Sequence, residues 1–369
     1  FSSKVAMKLS YTFPALRGIQ AGLEYYLAMC PIKLVPKIFV YDEECVPPEL
    51  RAQRTLNKAR IPDITSYITN NPKEYTFSAI TASVGVEVEF RPMKESGGER
   101  NMGELVIPMD APMIINDGQH RRAAIEEALK KIPELGEESI AVVFFIDAGL
   151  KRSQQIFADL NKHAIRPSQS LGVLYEHREP SAELARYVMA NVPVFSDLTE
   201  KEKTTISNRS PKLFTLSSIY QATQALLRKS RRDVIIDAEK KLAVAYWIEV
   251  SNSIPDWNMA RNREVACVKL REQYVHAHGV VLQALGIAGA DLISQYPNNW
   301  KERIPFLRQV DWSRTNESIW EGRAMILGKI SKATQHVIRT SIYLKTIYGL
   351  ELVPEEQLLE DKLVNGVSL

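Results

Sequence analysis

"MIINDGQHRRAAIEEALKKIPELGEESIAVVFFID", residues 113–147, decides the fold of the first half of this chain. Two runs of buried-strand character, "MIIN" and "SIAVVFFID", flank an amphipathic helical pattern from about Gln119 to Lys131, and a polar turn joins the first strand to the helix. Strand, turn, helix, strand is a unit of an α/β domain. Upstream, "YYLAMCPIKLVPKIFVYD" (25–42) and "EYTFSAITASVGVEVEF" (74–90) carry β-branched and aromatic runs of strand type. Between them "RAQRTLNKARIPDITSYI" (51–68) reads as a helix broken by Pro62, and "KESGGER" (94–100) as a loop. From about Ser168 onward the strand signals fade. "SAELARYVMANV", "TLSSIYQATQALLRK", "AEKKLAVAYWIEVSNS" and "YVHAHGVVLQALG" are helical patterns. The expectation is an α/β domain with a mixed sheet over 1–170, followed by a mainly α-helical domain over 171–369.

Composition narrows the class. With 369 residues and 45% hydrophobic side chains the chain can bury a sizeable core. Lys and Arg number 47 against 44 Asp and Glu, a net charge of +3, so affinity for nucleic acid has to come from local patches and not from the field of the whole molecule. Cys30, Cys45 and Cys267 are odd in number and widely spaced, which argues against a disulfide framework or a zinc site. No run approaches a membrane span, and "FSSKVAMKLS" lacks the apolar region of a signal peptide. A cytoplasmic protein is expected.

The turn "NDGQHRR" concentrates polar chemistry at a helix start. Unpaired backbone N–H groups and the positive end of the helix dipole make such a start an anion site. Gly118 lets the backbone approach a ligand, Arg121 and Arg122 supply guanidinium contacts to phosphate, and Asp117 is a candidate helix cap, metal ligand or ribose contact. His120 is a candidate acid or base. The bland alternative is a capped helix with a solvated basic first turn. Basic residues there oppose the dipole, which favours a bound anion. A second polar segment, "FADLNKHAIRPSQSL" (157–171), follows the next strand and places Asn161, Lys162, His163 and Arg166 close together before Pro167. Two such segments flanking one strand are expected to converge on a site.

In the second half, "ISNRSPKLF" and "LLRKSRRD" supply the candidate DNA contacts: Arg209, Lys212, Arg228, Lys229, Arg231 and Arg232. Their plain alternative is a solvated helix end, where cations suit the dipole. His276 and His278 do not share a helical face, so a metal site there is not expected. Trp312, Arg314, Trp320 and Arg323 in "DWSRTNESIWEGRAM" either stack on a base or lock a helix against the α/β domain, and packing is the favoured reading.

The pair "DGQHRRAAIEEA" and "FADLNKHAIRPSQSL", with "YYLAMCPIKLVPKIF", "YVHAHGVVLQALG" and "DWSRTNESIWEGRAM", resembles the DGQHR-domain family of DNA phosphorothioation over nearly the whole chain. The first half also resembles the ParB/sulfiredoxin-like superfamily, with Gly118, Arg121, Arg122, Asn161 and Arg166 in the comparable places. Gln119 and His120 before the arginines depart from the ParB pattern.

The resemblance implies a DNA-binding repressor of an operon for DNA sulfur modification. ATP or another nucleotide, with Mg2+, would be held by Asn116, Asp117, Gly118, Gln119, His120, Arg121, Arg122, Asn161, Lys162 and Arg166. Promoter duplex is the implied partner, with a cysteine desulfurase or other modification proteins beside it, and the helical half would serve DNA binding and homo-oligomerisation. It also brings sulfur chemistry to the protein, which makes Cys30 a candidate sensor. Pro31 suggests an edge strand or strand end where that thiol is partly accessible, whereas the apolar flanks suggest a buried one. Two other readings stand beside the repressor: a nucleotide hydrolase or nuclease with Asp117 and His120 as catalytic pair, and a non-catalytic subunit of a modification complex.

Overall fold

In β1 (Ser10–Gln20) alternate side chains turn inward, Phe13 and Ala15 being buried while Leu16 beyond them is exposed. A two-residue turn at Ala21 and Gly22, both with positive φ, returns the chain as β2 (Leu23–Pro31), the geometry that matches strand twist. The computed structural model describes residues 9–39, 58–147, 152–162, 167–207 and 209–364, the side chains of 154, 157, 158, 161 and 162 excepted. Two compact units, Phe1–Ile165 and Arg166–Leu369, divide the chain.

The first unit is built on a mixed seven-stranded sheet. With β3 (Ile80–Val84), β4 (Glu89–Pro92), β5 (Met102–Pro108), β6 (Met113–Asp117) and β7 (Ser139–Ile146), the order is β4-β5-β1-β2-β7-β3-β6. Only the β3–β7 pair is parallel. Helices α1 (Val35–Ile38), α2 (Ile61–Asn70) and α3 (Gln119–Lys131) pack together, and α3 buries Ala123, Ala124, Ile125 and Ala128. Ala124, Ile125 and Ala128 join one core with Phe13, Tyr26, Val142 and Phe144 from the sheet. A fourth helix, α4 (Ser153–Lys162), packs on β6. Pro62 does not break α2. It sits in the helix's first turn, where its missing N–H leaves nothing unpaired. Strands β1 and β5 are additions to the sequence reading.

The second unit is mainly helical, as expected. It runs through α5 (Gln169–Tyr175), α6 (Pro180–Asn191), α7 (Pro193–Leu198), α8 (Leu216–Leu227), α9 (Asp237–Ser253), α10 (Pro255–Arg261), α11 (Cys267–Gln273), α12 (Gly279–Gln295), α13 (Glu317–Trp320), α14 (Thr334–Ile347) and α15 (Pro354–Val364). Its core gathers Phe195, Phe214, Trp247, Trp257 and Leu285, and α12 packs against both α8 and α14. Trp312 and Trp320 stack with ring centroids 5.4 Å apart inside this same core, so these two rings pack within the helical unit. Two short ribbons, β8 (Thr199–Glu200) with β9 (Phe214–Thr215) and β10 (Met325–Ile326) with β11 (Lys329–Ile330), pin surface loops. No described helix is long and apolar enough to cross a membrane.

Candidate functional site

Strand β6 ends at Asp117, and the chain turns through Gly118 into α3. Gly118 is the N-cap at φ 114°, a left-handed conformation, and a Cβ there would press on the Ile80 side chain. Only glycine takes this turn without strain. The expected cap by Asp117 does not form: no side chain caps α3, and the first intrahelical bond runs from Arg122 N–H to the Gly118 carbonyl. The start of α3 therefore keeps amide donors without the usual side-chain cap. Asp117 instead accepts from Arg121 at 2.6 Å, and Arg121 also donates to the Ser78 carbonyl at 3.0 Å.

Arg122 has a different task from the one its position suggests. Its Nε donates to the Phe39 carbonyl at 2.9 Å, one terminal nitrogen to the Pro36 carbonyl at 3.0 Å, and the other to Glu126 at 2.5 Å. The guanidinium thus satisfies carbonyls at the end of α1 and ties that helix to α3. Asn116 is likewise not open to a ligand. It is buried, its Nδ2 donates to Ser83 Oγ at 2.7 Å, and its Oδ1 accepts from Ser153 Oγ at 2.6 Å. Gln119 donates back to the Ile115 carbonyl at 3.2 Å. Arg121, held by Asp117 and Ser78, and His120 lie in the first turn of the helix that no side chain caps, with the half-exposed Asp117 carboxylate beside Arg121. Burial, reinforced by Arg60 and opposed by Asp117, lowers the His120 pKa, which keeps the ring neutral near pH 7 and able to accept a proton.

Because β6 runs antiparallel to β3 and β3 parallel to β7, the ends of β6 and β7 lie at opposite ends of the sheet. Contact is made through α4, whose first residue, Ser153, reaches Asn116. Asn161 and Lys162 belong to α4 with side chains outside the described ones, and His163 and Arg166 lie outside the described residues.

Cys30 is a correction. Strand β2 is flanked by β1 and β7, not at an edge, and Cys30 pairs with Ile140 in the core. It has no exposed surface, and burial pushes its thiol up to about 12. Cys45 lies outside the described residues. Only the thiolate reacts, and burial holds the Cys30 thiol in its protonated form. Native protein treated with iodoacetamide should leave Cys30 unlabelled in peptide mass maps until it is unfolded. Equal labelling rates in buffer and in urea would contradict this burial.

In the helical unit, Arg209 and Lys212 precede α8, whereas the 228–232 cluster follows it, about 18 Å away by helical rise. Arg228 pairs with Asp291, and Lys229 with Glu239 at 2.9 Å. Arg231 bears on Tyr220, and Arg232 is exposed. Around Arg209 and Lys212 the fold adds Arg261 and Arg263, two residues the sequence reading passed over. These four cations, with Asp197 as the carboxylate among them, line a groove of about 960 Å³. Arg261 pairs with Asp197 at 2.8 Å, while Arg209 and Arg263 are exposed and have no partner among the described residues. Arg271 braces the loop that carries Arg209, donating to the carbonyls of Ser210 at 2.9 Å, Ser207 at 3.2 Å and Lys212. A concave surface with excess cations, two of them unpaired, is suited to phosphate.

A family model described as DndB, DNA-sulfur modification-associated, matches residues 13–351. No curated protein and no solved structure matches the chain.

Proposed function

The chain belongs to the DndB family of DNA-sulfur-modification-associated proteins, and on that premise we propose that it is a transcriptional repressor that binds promoter duplex and answers to a nucleotide. The observation that carries the reading is the basic groove of Arg209, Lys212, Arg261 and Arg263. Its unpaired arginines supply the local cation density that a net charge of +3 does not. Arg231 and Arg232 form a second basic stretch. Arg228 and Lys229, already paired, contribute less.

The nucleotide, ATP with Mg2+ or a relative, is assigned to the start of α3. Amide donors without a side-chain cap receive phosphate, and Arg121 exchanges Asp117 for it. Asn116 and Arg122 position this turn from behind. Gel-shift titration of the promoter duplex with and without ATP tests the reading. Duplex affinity should differ between the two conditions, and Arg121→Ala should remove the difference while retaining ATP-free DNA binding. An ATP effect unchanged in folded Arg121→Ala protein would place the nucleotide elsewhere.

A further inference from the structure

We propose that the helical unit contains a separate binding cavity for a small phosphorylated metabolite, a phosphomonoester no larger than a mononucleotide, walled by Arg271, Arg314, Lys332 and the start of α12. The cavity has a volume of about 320 Å³, at the lower end of the range for small-molecule sites. Three cations and one carboxylate, Glu272, line it. Two of the cations are fixed: Arg271 by the loop carbonyls described above, and Arg314 by the carbonyls of Gly328 at 3.0 Å and Glu272 at 3.2 Å. Lys332 differs. It is exposed and has no hydrogen-bonding or ion-pairing partner among the described residues, so its ammonium is free to meet a ligand.

Two further features of the wall suit a phosphate ester. The 17-residue helix α12 starts at Gly279 on the cavity with no side-chain cap, which directs amide donors and the positive dipole end toward it. Thr204 and Thr205 place hydroxyls on the same lining, suited to a sugar or polyol. The positive field is felt inside the wall as well. His278 contacts the Arg271 carbonyl through Nε2 at 2.8 Å, and burial, with Arg314 and Lys332 acting in the same direction, pushes its pKa down to about 4. The ring is therefore neutral, and no carboxylate beyond Glu272 on this lining offsets the cations. A concave volume of this size encloses a small ester, whereas a duplex presents its phosphates along a wide convex surface.

Full-length protein titrated with AMP, followed by calorimetry and by the His278 ring resonances, tests the assignment independently of the α3 turn. AMP should shift the His278 signals, adenosine should not, and Lys332→Gln should weaken AMP about tenfold, the worth of one charge-assisted contact. Arg121→Ala should leave the His278 response intact. Lys332 is exposed and its side chain makes no hydrogen bond or ion pair among the described residues, so its variant should fold. An absent His278 shift at millimolar AMP, or a shift with undiminished affinity in Lys332→Gln, overturns the proposal. So does a His278 shift produced by a short duplex but by neither AMP nor inorganic phosphate, which would make the cavity wall a DNA contact.

Discussion

Gly286→Ala should lower the thermal midpoint of the helical unit by roughly 6–12 °C, corresponding to about 3 kcal/mol of lost stability. Helix α12 lies so close to α8 that a Cβ at Gly286 would collide with the carbonyl oxygen of Ala222. That oxygen belongs to helical backbone and cannot rotate away as a side chain would. Alanine in place of helical glycine gains about 1 kcal/mol of propensity, so the sign of the result reports the clash directly. Gly172→Ala is the matched control. Gly172 lies in α5, where a Cβ meets nothing within 4 Å, and the same substitution should stabilise by about 0.5–1 kcal/mol. Equal midpoints for Gly286→Ala and wild type would contradict the close approach of α8 and α12.

Asn116→Leu should destabilise the α/β unit by about 3 kcal/mol or more, since it leaves the buried hydroxyls of Ser83 and Ser153 without their shared partner. Leucine keeps the branching and number of side-chain heavy atoms, so no cavity opens, and its greater bulk adds some crowding to the lost hydrogen bonds. The triple variant Ser83→Ala, Asn116→Leu, Ser153→Ala should recover most of that loss, because apolar groups replace both sides of each bond. Chemical denaturation followed by tryptophan-independent circular dichroism reads the effect. A triple variant no more stable than Asn116→Leu would mean that Asn116 acts by shape and not through this network.

Local chemistry made part of this legible. Helix α3 follows from the glycine turn and an apolar stripe, and it begins at Gln119 and ends at Lys131 as its sequence predicts. Strands β6 and β7 follow from short apolar runs rich in Ile, Val and Phe. Strands β1 and β5 escaped the reading because Pro14, Gly18 and Gly103 interrupt their patterns. Partners escaped it for a deeper reason. Pro31 signals a strand end but not that β2 has neighbours on both sides, so Cys30 looked reachable. Arg122 sits at a ligand-like position, yet its targets are carbonyls more than eighty positions earlier in the chain. Arg261 and Arg263 join Arg209 and Lys212 only after the helices pack, and no local pattern records that meeting.

The groove is what the functional account depends on, and the salt dependence of duplex binding tests it most directly. Arg209 and Arg263 have no partner to lose among the described residues, so Arg209→Gln with Arg263→Gln should leave the fold unchanged. Log affinity for the promoter duplex should fall linearly with log salt in the wild-type protein, and the double variant should reduce that slope by about 2, one for each phosphate contact removed. Absence of duplex binding by the wild-type protein at low salt, or a double variant with wild-type affinity and slope, would contradict the account.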